Sequence, residues 1–261
     1  MTGVAWLADE RLARHTAWRT GGACGAFVVV HRREALADAL TAAREQHGNV
    51  HLLGAGTRTL ARDGGTSAAV VRLGTDFARI EREGATLRVG AAVPVPALLA
   101  ACAAFGLAGV EGIEAVGSVG ASVLLDGGWL AAGAVRMLVR GKERDVALEE
   151  ARAVKNPIVT GVVLHLVPDA PDAIAARTGA RRPAMWKAPK RVSLRDLLDH
   201  SHLGGVRLRD VHIPAVAPEV LVNAGSAPSR DLLLLHACAM ERVARETGVD
   251  LRPNLHFLGR A

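Results

Sequence analysis

The chain has 261 residues, of which half are hydrophobic and only 3% aromatic, and it contains no tyrosine. This length supports a full hydrophobic core and two or three lobes, while the missing tyrosine excludes any chemistry that needs a phenol. The net charge is +6 at pH 7. Because the basic residues are scattered and aromatic residues are few, we expect no nucleic-acid binding but a basic cleft for an anionic small molecule.

The cysteines and the lengths of the hydrophobic runs indicate the cellular compartment of the protein. Cys24, Cys102 and Cys238 are far apart and lack metal-ligand spacing, which is typical of a reduced, cytoplasmic protein. No stretch reaches the ~18 to 20 apolar residues of a membrane span, and no secretory signal is visible, so we expect no membrane association. The sequence gives no indication of the oligomeric state.

The N-terminal region, residues 1–74, is predicted to be a small β-α-β lobe. Short runs rich in β-branched residues predict strands at 26–30, 50–53 and 69–73. Residues 34–46 carry apolar side chains at helical spacing and predict a helix. The second strand leads directly into the glycine-rich turn Gly54-Ala55-Gly56-Thr57.

A second lobe is predicted over residues 75–167. It contains a strand at 86–91, a helix at 94–104 that begins with proline, and a second glycine-rich turn at 117–122. The dipeptide Gly141-Lys142 between 135–139 and 144–147 predicts a hairpin. The β-branched run 158–166 predicts a long strand.

A third lobe is predicted over residues 168–261. Residues 168–192 are rich in Pro, Ala and Arg with weak periodicity, which indicates a boundary and a mobile connection. A short helix at 193–200 and strands at 205–213 and 220–222 follow. A strong helical pattern at 229–247 ends at Gly248, a typical C-terminal stop.

The two glycine-rich turns carry the strongest functional signal. Gly54-Ala55-Gly56-Thr57 and Gly117-Ser118-Val119-Gly120-Ala121-Ser122 each offer bare backbone N–H groups beside a hydroxyl. Two such turns can close on the diphosphate of a dinucleotide, although either one alone could be a plain turn. Asp126-Gly127-Gly128-Trp129 follows the second turn. Neither turn is a dinucleotide Gly-x-Gly-x-x-Gly or a Walker loop.

The histidines predict no metal site, since no His-x-x-x-His or His-Glu-x-x-His spacing occurs. A Ser-His-Asp triad is possible by composition, but no nucleophile-elbow sequence is present. His236, between leucines of the predicted C-terminal helix, is interpreted as a core or edge residue.

Together these motifs resemble the UDP-N-acetylenolpyruvoylglucosamine reductase family, in order, from His15 to Gly259. The segment from His15 to Gly22 resembles the family's opening Asn-Thr-x-x-x-x-Gly-Gly, and the two glycine-rich turns resemble its flavin loops. Residues 156–162 resemble the strand that closes over the flavin. Residues 220–223 and 251–259 resemble the family's Ile-Val-Asn and its final Glu-Pro-Glu-Val-x-x-Leu-Gly.

The resemblance implies an α+β fold in which two lobes of the vanillyl-alcohol-oxidase type bind FAD and a third, C-terminal α+β lobe covers the substrate. The cofactor-binding residues that it implies lie in the two turns and the closing strand. They are Gly54, Ala55, Gly56, Thr57, Gly117, Ser118, Val119, Gly120, Ser122 and Ile158.

The catalytic positions depart from the family. There, a serine protonates the substrate while a glutamate and an arginine polarise it. Ala184-Met185-Trp186-Lys187-Ala188-Pro189 resembles the family's Ser-x-Phe-Lys-Asn-Pro, so Ala184 stands at the serine position, and Asn254 stands at the glutamate position. Neither can transfer a proton at neutral pH. Arg152 is retained from a Tyr-Arg-x-Ser stretch.

The resemblance implies substrate binding by Arg152, Lys187 and Asn254, with Arg152 and His256 as the remaining candidate catalytic groups. Three hypotheses follow: an FAD-dependent oxidoreductase acting on another anionic small molecule, a flavin-free descendant with a non-redox or ligand-binding role, and a genuine reductase with relocated catalytic groups. His256 is the nearby titratable group for the third. A further alternative is an alignment in which Ser193, and not Ala184, stands at the family's serine position.

Overall fold

The computed structural model describes residues 2–125, 129, 131–178 and 184–259. Within it the chain forms two compact units. The first comprises the described residues of 1–9, 25–55 and 67–181, and the second comprises those of 10–24, 56–66 and 182–261. The division into three lobes at residues 74 and 167 stays a prediction.

The described strands are β1 (Val4–Leu7), β2 (Cys24–Val30), β3 (Val50–Leu52), β4 (Thr59–Ala61), β5 (Thr66–Leu73), β6 (Ile80–Glu83), β7 (Thr86–Gly90), β8 (Leu107–Ala108), β9 (Ala132–Val139), β10 (Lys142–Val146), β11 (Val159–His165), β12 (Val167–Pro168), β13 (Trp186–Lys187), β14 (Arg207–Leu208), β15 (Val211–His212), β16 (Val222–Asn223), β17 (Arg252–Pro253) and β18 (His256–Leu258). The described α-helices are α1 (Leu36–His47), α2 (Val95–Phe105), α3 (Val119–Leu125), α4 (Leu148–Ala153), α5 (Pro171–Arg177), α6 (Leu194–His200) and α7 (Ser229–Thr247).

The first unit begins with a four-stranded sheet of order β1-β2-β5-β3. β1 is antiparallel to β2, and β3 is parallel to β5. Helix α1 buries the apolar stripe Leu36, Ala39, Leu40 and Ala43 that its sequence spacing predicts. The predicted strands and helix of this region are therefore confirmed.

A five-stranded antiparallel sheet, of order β10-β9-β11-β7-β6, completes the first unit. Its buried face forms the largest described core cluster, in which Leu87, Val135 and Leu164 contribute fully buried side chains. Gly141, with φ +77°, turns the chain between β9 and β10 and confirms the predicted hairpin.

The second unit is organised around helix α7, which has the predicted bounds and ends at Gly248 in the left-handed conformation. Asp63 anchors the start of this helix, because its Oδ2 accepts hydrogen bonds from the N–H and the Oγ of Ser229 at 2.7 and 2.9 Å. Sheets with largely separate helices confirm the α+β class. Of the described helices, none is long and apolar enough to cross a membrane.

Three regions differ from the sequence predictions. Residues 205–213 form β14 and β15, which pair antiparallel around a turn with Arg209 at φ +53°, instead of one strand. Helix α5 lies where a mobile connection was predicted, starting at Pro171 and burying Ile174. Helix α3 starts inside the second glycine-rich turn.

Candidate functional site

In the first unit, the start of the first glycine-rich turn meets the second turn at Gly54 and Ser118. A Cβ atom added to Gly54 would lie 2.4 Å from the Ser118 Oγ, so the two turns approach each other closely at this point. Within the part of the chain that the structure describes, the N–H groups of Gly54, Ala55, Gly117 and Ser118 have no hydrogen-bond acceptor. Unpaired N–H groups on two adjoining turns suit an anion with several oxygens.

The rest of the second turn holds this arrangement in place. The N–H groups of Val119 and Gly120 donate to the carbonyls of Val93 and Ala91, each at 2.9 Å. The buried Ser122 Oγ accepts a hydrogen bond from Trp129 Nε1 at 3.1 Å. These hydrogen bonds fix the turn through Val119, Gly120 and Ser122. The N–H groups of Gly117 and Ser118 can therefore still bind a ligand. Residues 126–128, which the sequence analysis also singled out, lie outside the described residues.

Ile158, the predicted cofactor contact of the closing strand, lies one residue before β11. Its carbonyl accepts from the Leu138 N–H at 2.9 Å, and its partly buried side chain packs on the core beneath α1. These contacts place Ile158 in the first unit, which also contains Gly54, Ala55 and the second turn.

Gly56 and Thr57 belong to the second unit. Gly56 has φ +68°, and a Cβ there would lie 2.0 Å from the His15 carbonyl oxygen. Its own carbonyl accepts from the Ala17 N–H at 3.1 Å. Among the described residues, the N–H groups of Gly56 and Thr57 have no acceptor. The segment that resembles the family's opening motif thus supports the first turn.

The second unit brings together the two positions at which the catalytic serine and glutamate were expected. Strands β13 and β17 pair antiparallel. Just beyond the ladder, the Asn254 N–H donates to the Met185 carbonyl at 2.9 Å, and Asn254 Nδ2 donates to the Ala184 carbonyl at 2.8 Å. The amide at the glutamate position is therefore used to hold the strand that carries Ala184.

A buried aromatic pair supports the same strand from α7. The rings of Trp186 and His236 stack at 5.2 Å between centroids with a 12° interplanar angle. His236 Nε2 lies 3.2 Å from the Met185 carbonyl, which places a proton donor on this nitrogen. Burial is the main cause that lowers the pKa of His236, and it favours the neutral form of the ring. The interpretation of His236 as a core residue is confirmed.

Lys187 is exposed on β13, where its direct cross-strand partner is Arg252 of β17, also exposed. The Ser193 Oγ accepts a hydrogen bond from the Asp196 N–H at 3.2 Å and caps helix α6. This local role does not favour the alternative alignment in which Ser193 would replace Ala184.

The two other candidate groups lie in different units. Arg152, on α4 in the first unit, donates from Nε and Nη2 to the Val123 carbonyl at 3.3 and 3.0 Å, and so caps the last turn of α3. His256 begins β18 in the second unit, is exposed, and has its backbone N–H bonded to the Arg58 carbonyl at 2.8 Å. In the described ranges, no group of three or more His, Cys, Asp or Glu could hold a metal ion.

Sequence reasoning missed two features of this region. The stacking of Trp186 on His236 depends on a contact across 50 residues that no local pattern reveals. Arg252 could have been found, because it occupies the first glutamate position of the Glu-Pro-Glu ending that the tail resembles.

Comparisons with known proteins agree with this architecture. Residues 25–144 match the family model of an FAD binding domain, and residues 171–258 match the C-terminal domain of UDP-N-acetylenolpyruvoylglucosamine reductase. Proteins named UDP-N-acetylenolpyruvoylglucosamine reductase from Moorella thermoacetica and Rubrobacter xylanophilus are 30% and 28% identical. The alignments cover 97% and 96% of this chain and 93% and 94% of theirs.

Solved structures give the same result for the fold. UDP-N-acetylenolpyruvylglucosamine reductase from Thermus caldophilus superimposes with a TM-score of 0.79 at 26% identity, covering 97% of this chain and 98% of that one. A Physcomitrella patens BBE-like 1 variant matches 64% of this chain and 42% of its own at a TM-score of 0.51 and 19% identity. The predicted vanillyl-alcohol-oxidase type of FAD-binding fold and the predicted FAD cofactor are confirmed. The chain belongs to the UDP-N-acetylenolpyruvoylglucosamine reductase family.

Proposed function

We propose that this protein is an FAD-dependent oxidoreductase that acts on an anionic small molecule other than the enolpyruvyl sugar nucleotide after which its relatives are named. The observation that carries this proposal is the hydrogen bond between Asn254 Nδ2 and the Ala184 carbonyl at 2.8 Å. It places side by side two residues that cannot ionise, at the positions where the family resemblance implies a proton donor and a glutamate.

FAD, when bound, supplies hydride transfer. The N–H groups of Gly54, Ala55, Gly117 and Ser118 fit the role of holding its diphosphate, because they lie on two adjoining turns and have no protein acceptor in the described residues. We assign Gly56, Thr57 and Ile158 to the same cofactor by the resemblance. The alternative of a flavin-free descendant is less well supported, since residues 25–144 match the family model of an FAD binding domain.

Saturating an enol ether by hydride needs a proton for the neighbouring carbon, delivered from within ~2.6–3.2 Å. Ala184 has no proton to give. Asn254 cannot substitute, because its Nδ2 already donates to a carbonyl and an amide does not act as an acid at neutral pH. Loss of one positioned general acid costs ~10²–10⁴-fold in rate. A substrate whose oxidation or reduction needs no acid at this position escapes that cost.

The test is NADPH oxidation by the FAD-loaded protein in the presence of the enolpyruvyl sugar nucleotide. We expect no increase over the rate without the sugar nucleotide. Robust turnover would contradict the proposal. His256→Ala then identifies the reason: loss of that turnover would show that His256 has replaced the family's acid, which is the third hypothesis.

A further inference from the structure

Lys187 and Arg252 are direct cross-strand partners in the two-residue ladder of β13 and β17. Directly opposed residues of an antiparallel pair have Cβ atoms about 4.5–5.5 Å apart, so their side chains share one face. The other pair of the ladder, Trp186 and Pro253, has its tryptophan buried in the core. Both basic side chains are exposed.

This pairing places two positive charges directly opposite each other. In the part of the chain that the structure describes, neither Lys187 nor Arg252 has an ion-pair or hydrogen-bond partner for its side chain. Like charges directly opposite each other destabilise a ladder. The tail that this segment resembles has glutamate where Arg252 stands, and that residue would form an opposite-charge pair with Lys187.

The ladder cannot relieve the repulsion by a change of register. Its end is fixed by the two hydrogen bonds from Asn254 to Ala184 and Met185. The Met185 N–H also donates to the Glu219 carbonyl at 2.8 Å, and the Met185 carbonyl faces His236. Slipping by one residue would break these bonds and expose Trp186. The two cations are therefore held together by their buried neighbours.

We propose that Lys187 and Arg252 together bind a dianionic phosphate group of the substrate. Arginine offers a planar fork that matches two oxygens, and lysine adds a point charge with rotating donors. A phosphate dianion placed between them would offset the repulsion that the ladder imposes. This inference rests on the proposed function, since it specifies the anionic group of that substrate.

The experiment is an NMR titration of the 15N-labelled, FAD-loaded protein with sodium phosphate at pH 8, compared with sodium chloride at equal ionic strength. We expect saturable shifts of the Lys187 and Arg252 amides with phosphate and not with chloride. Lys187→Gln and Arg252→Gln should each weaken binding about fivefold. Arg207→Gln, which changes an exposed arginine opposite His212 in the same unit, should leave the affinity unchanged.

Arg252→Glu should change phosphate affinity and thermal stability in opposite directions. It should abolish phosphate binding while raising the Tm by about 2 °C, because an attractive pair replaces a repulsive one. The inference is overturned if phosphate acts no differently from chloride, or if the Gln variants keep the wild-type affinity. Turnover of the enolpyruvyl sugar nucleotide would instead contradict the proposed function, so the two failures are distinguishable.

Discussion

Asn254 reaches across the end of the β13–β17 ladder and donates its side-chain amide to the carbonyl of Ala184 at 2.8 Å. The two positions are 70 residues apart in the sequence. Their contact links the two positions at which the family resemblance implies a catalytic serine and a catalytic glutamate. A carboxylate at position 254 could not make this bond, because it has no proton to donate when ionised.

Asn254→Ala should lower the free energy of unfolding by about 1 kcal/mol, the net contribution of one such hydrogen bond. Asn254→Asp should cost about 2 kcal/mol, because two acceptors then face each other. Urea unfolding measures both. An Asn254→Asp variant as stable as the wild type would show that the amide does not hold the strand.

His236 should make stability depend on pH. Burial lowers its pKa from the ordinary value of 6.5, so the unfolded chain takes up a proton as the pH falls below about 6.5 while the folded chain does not. Stability should therefore fall from about pH 6.5 downward and level off only below the lowered pKa. Unfolding curves of wild type and His236→Gln between pH 7.5 and 5 measure this, and Gln should flatten the slope. His200→Gln, at an exposed histidine, is the matched control and should keep the wild-type slope.

The first glycine-rich turn should tolerate Gly54→Ala better than Gly56→Ala. Gly54→Ala meets only the Ser118 hydroxyl, which can rotate, whereas Gly56→Ala meets the His15 carbonyl at a φ of +68°. We expect Gly56→Ala to cost more than about 2 kcal/mol and to reduce FAD occupancy strongly, with a smaller effect for Gly54→Ala. Thermal unfolding and the visible flavin band measure both. Gly112→Ala, with open space around its Cβ, should be silent; equal behaviour of all three variants would refute the strain argument.

Cys102 should resist alkylation in the folded protein. Burial, with a smaller contribution from the charge of Glu111, raises its pKa from 9.0 to about 12. The thiolate fraction is then about a thousandfold lower than for an ordinary thiol. Because Cys24 is also buried and Cys238 is exposed, iodoacetamide at pH 8 should label one thiol quickly. Cys238→Ser should remove that rapid phase, and rapid labelling that persists in this variant would contradict the burial of the other two.

Much of the fold follows from local physical signals in the sequence. Helix α7 was predicted with its observed bounds because the apolar stripe runs for five turns and Gly248 offers an unstrained stop. The β9–β10 hairpin followed from a single glycine that permits positive φ. Helix α5 was missed because only Ile174 of its seven residues is buried, which leaves no periodic pattern to detect.

The candidate site was predicted less completely. The glycine-rich turns could be predicted because glycine itself marks exposed backbone N–H groups in the sequence. The contact between Gly54 and Ser118 could not be predicted, because it depends on tertiary packing. The repulsive pair of Lys187 and Arg252 was missed for a similar reason, since register between strands 65 residues apart in sequence is set by the buried neighbours Met185 and Trp186.

The central claim is that positions 184 and 254 cannot support proton delivery to the enolpyruvyl sugar nucleotide. The most direct measurement is anaerobic single turnover, in which FAD-loaded protein is first reduced and its reoxidation by the sugar nucleotide is then followed. We predict that reoxidation of the wild type is no faster than in buffer, and that the double variant Ala184→Ser with Asn254→Glu gains a measurable rate. Wild-type reoxidation at about 1 s⁻¹ or faster, within the ordinary range of enzyme turnover, would contradict the account.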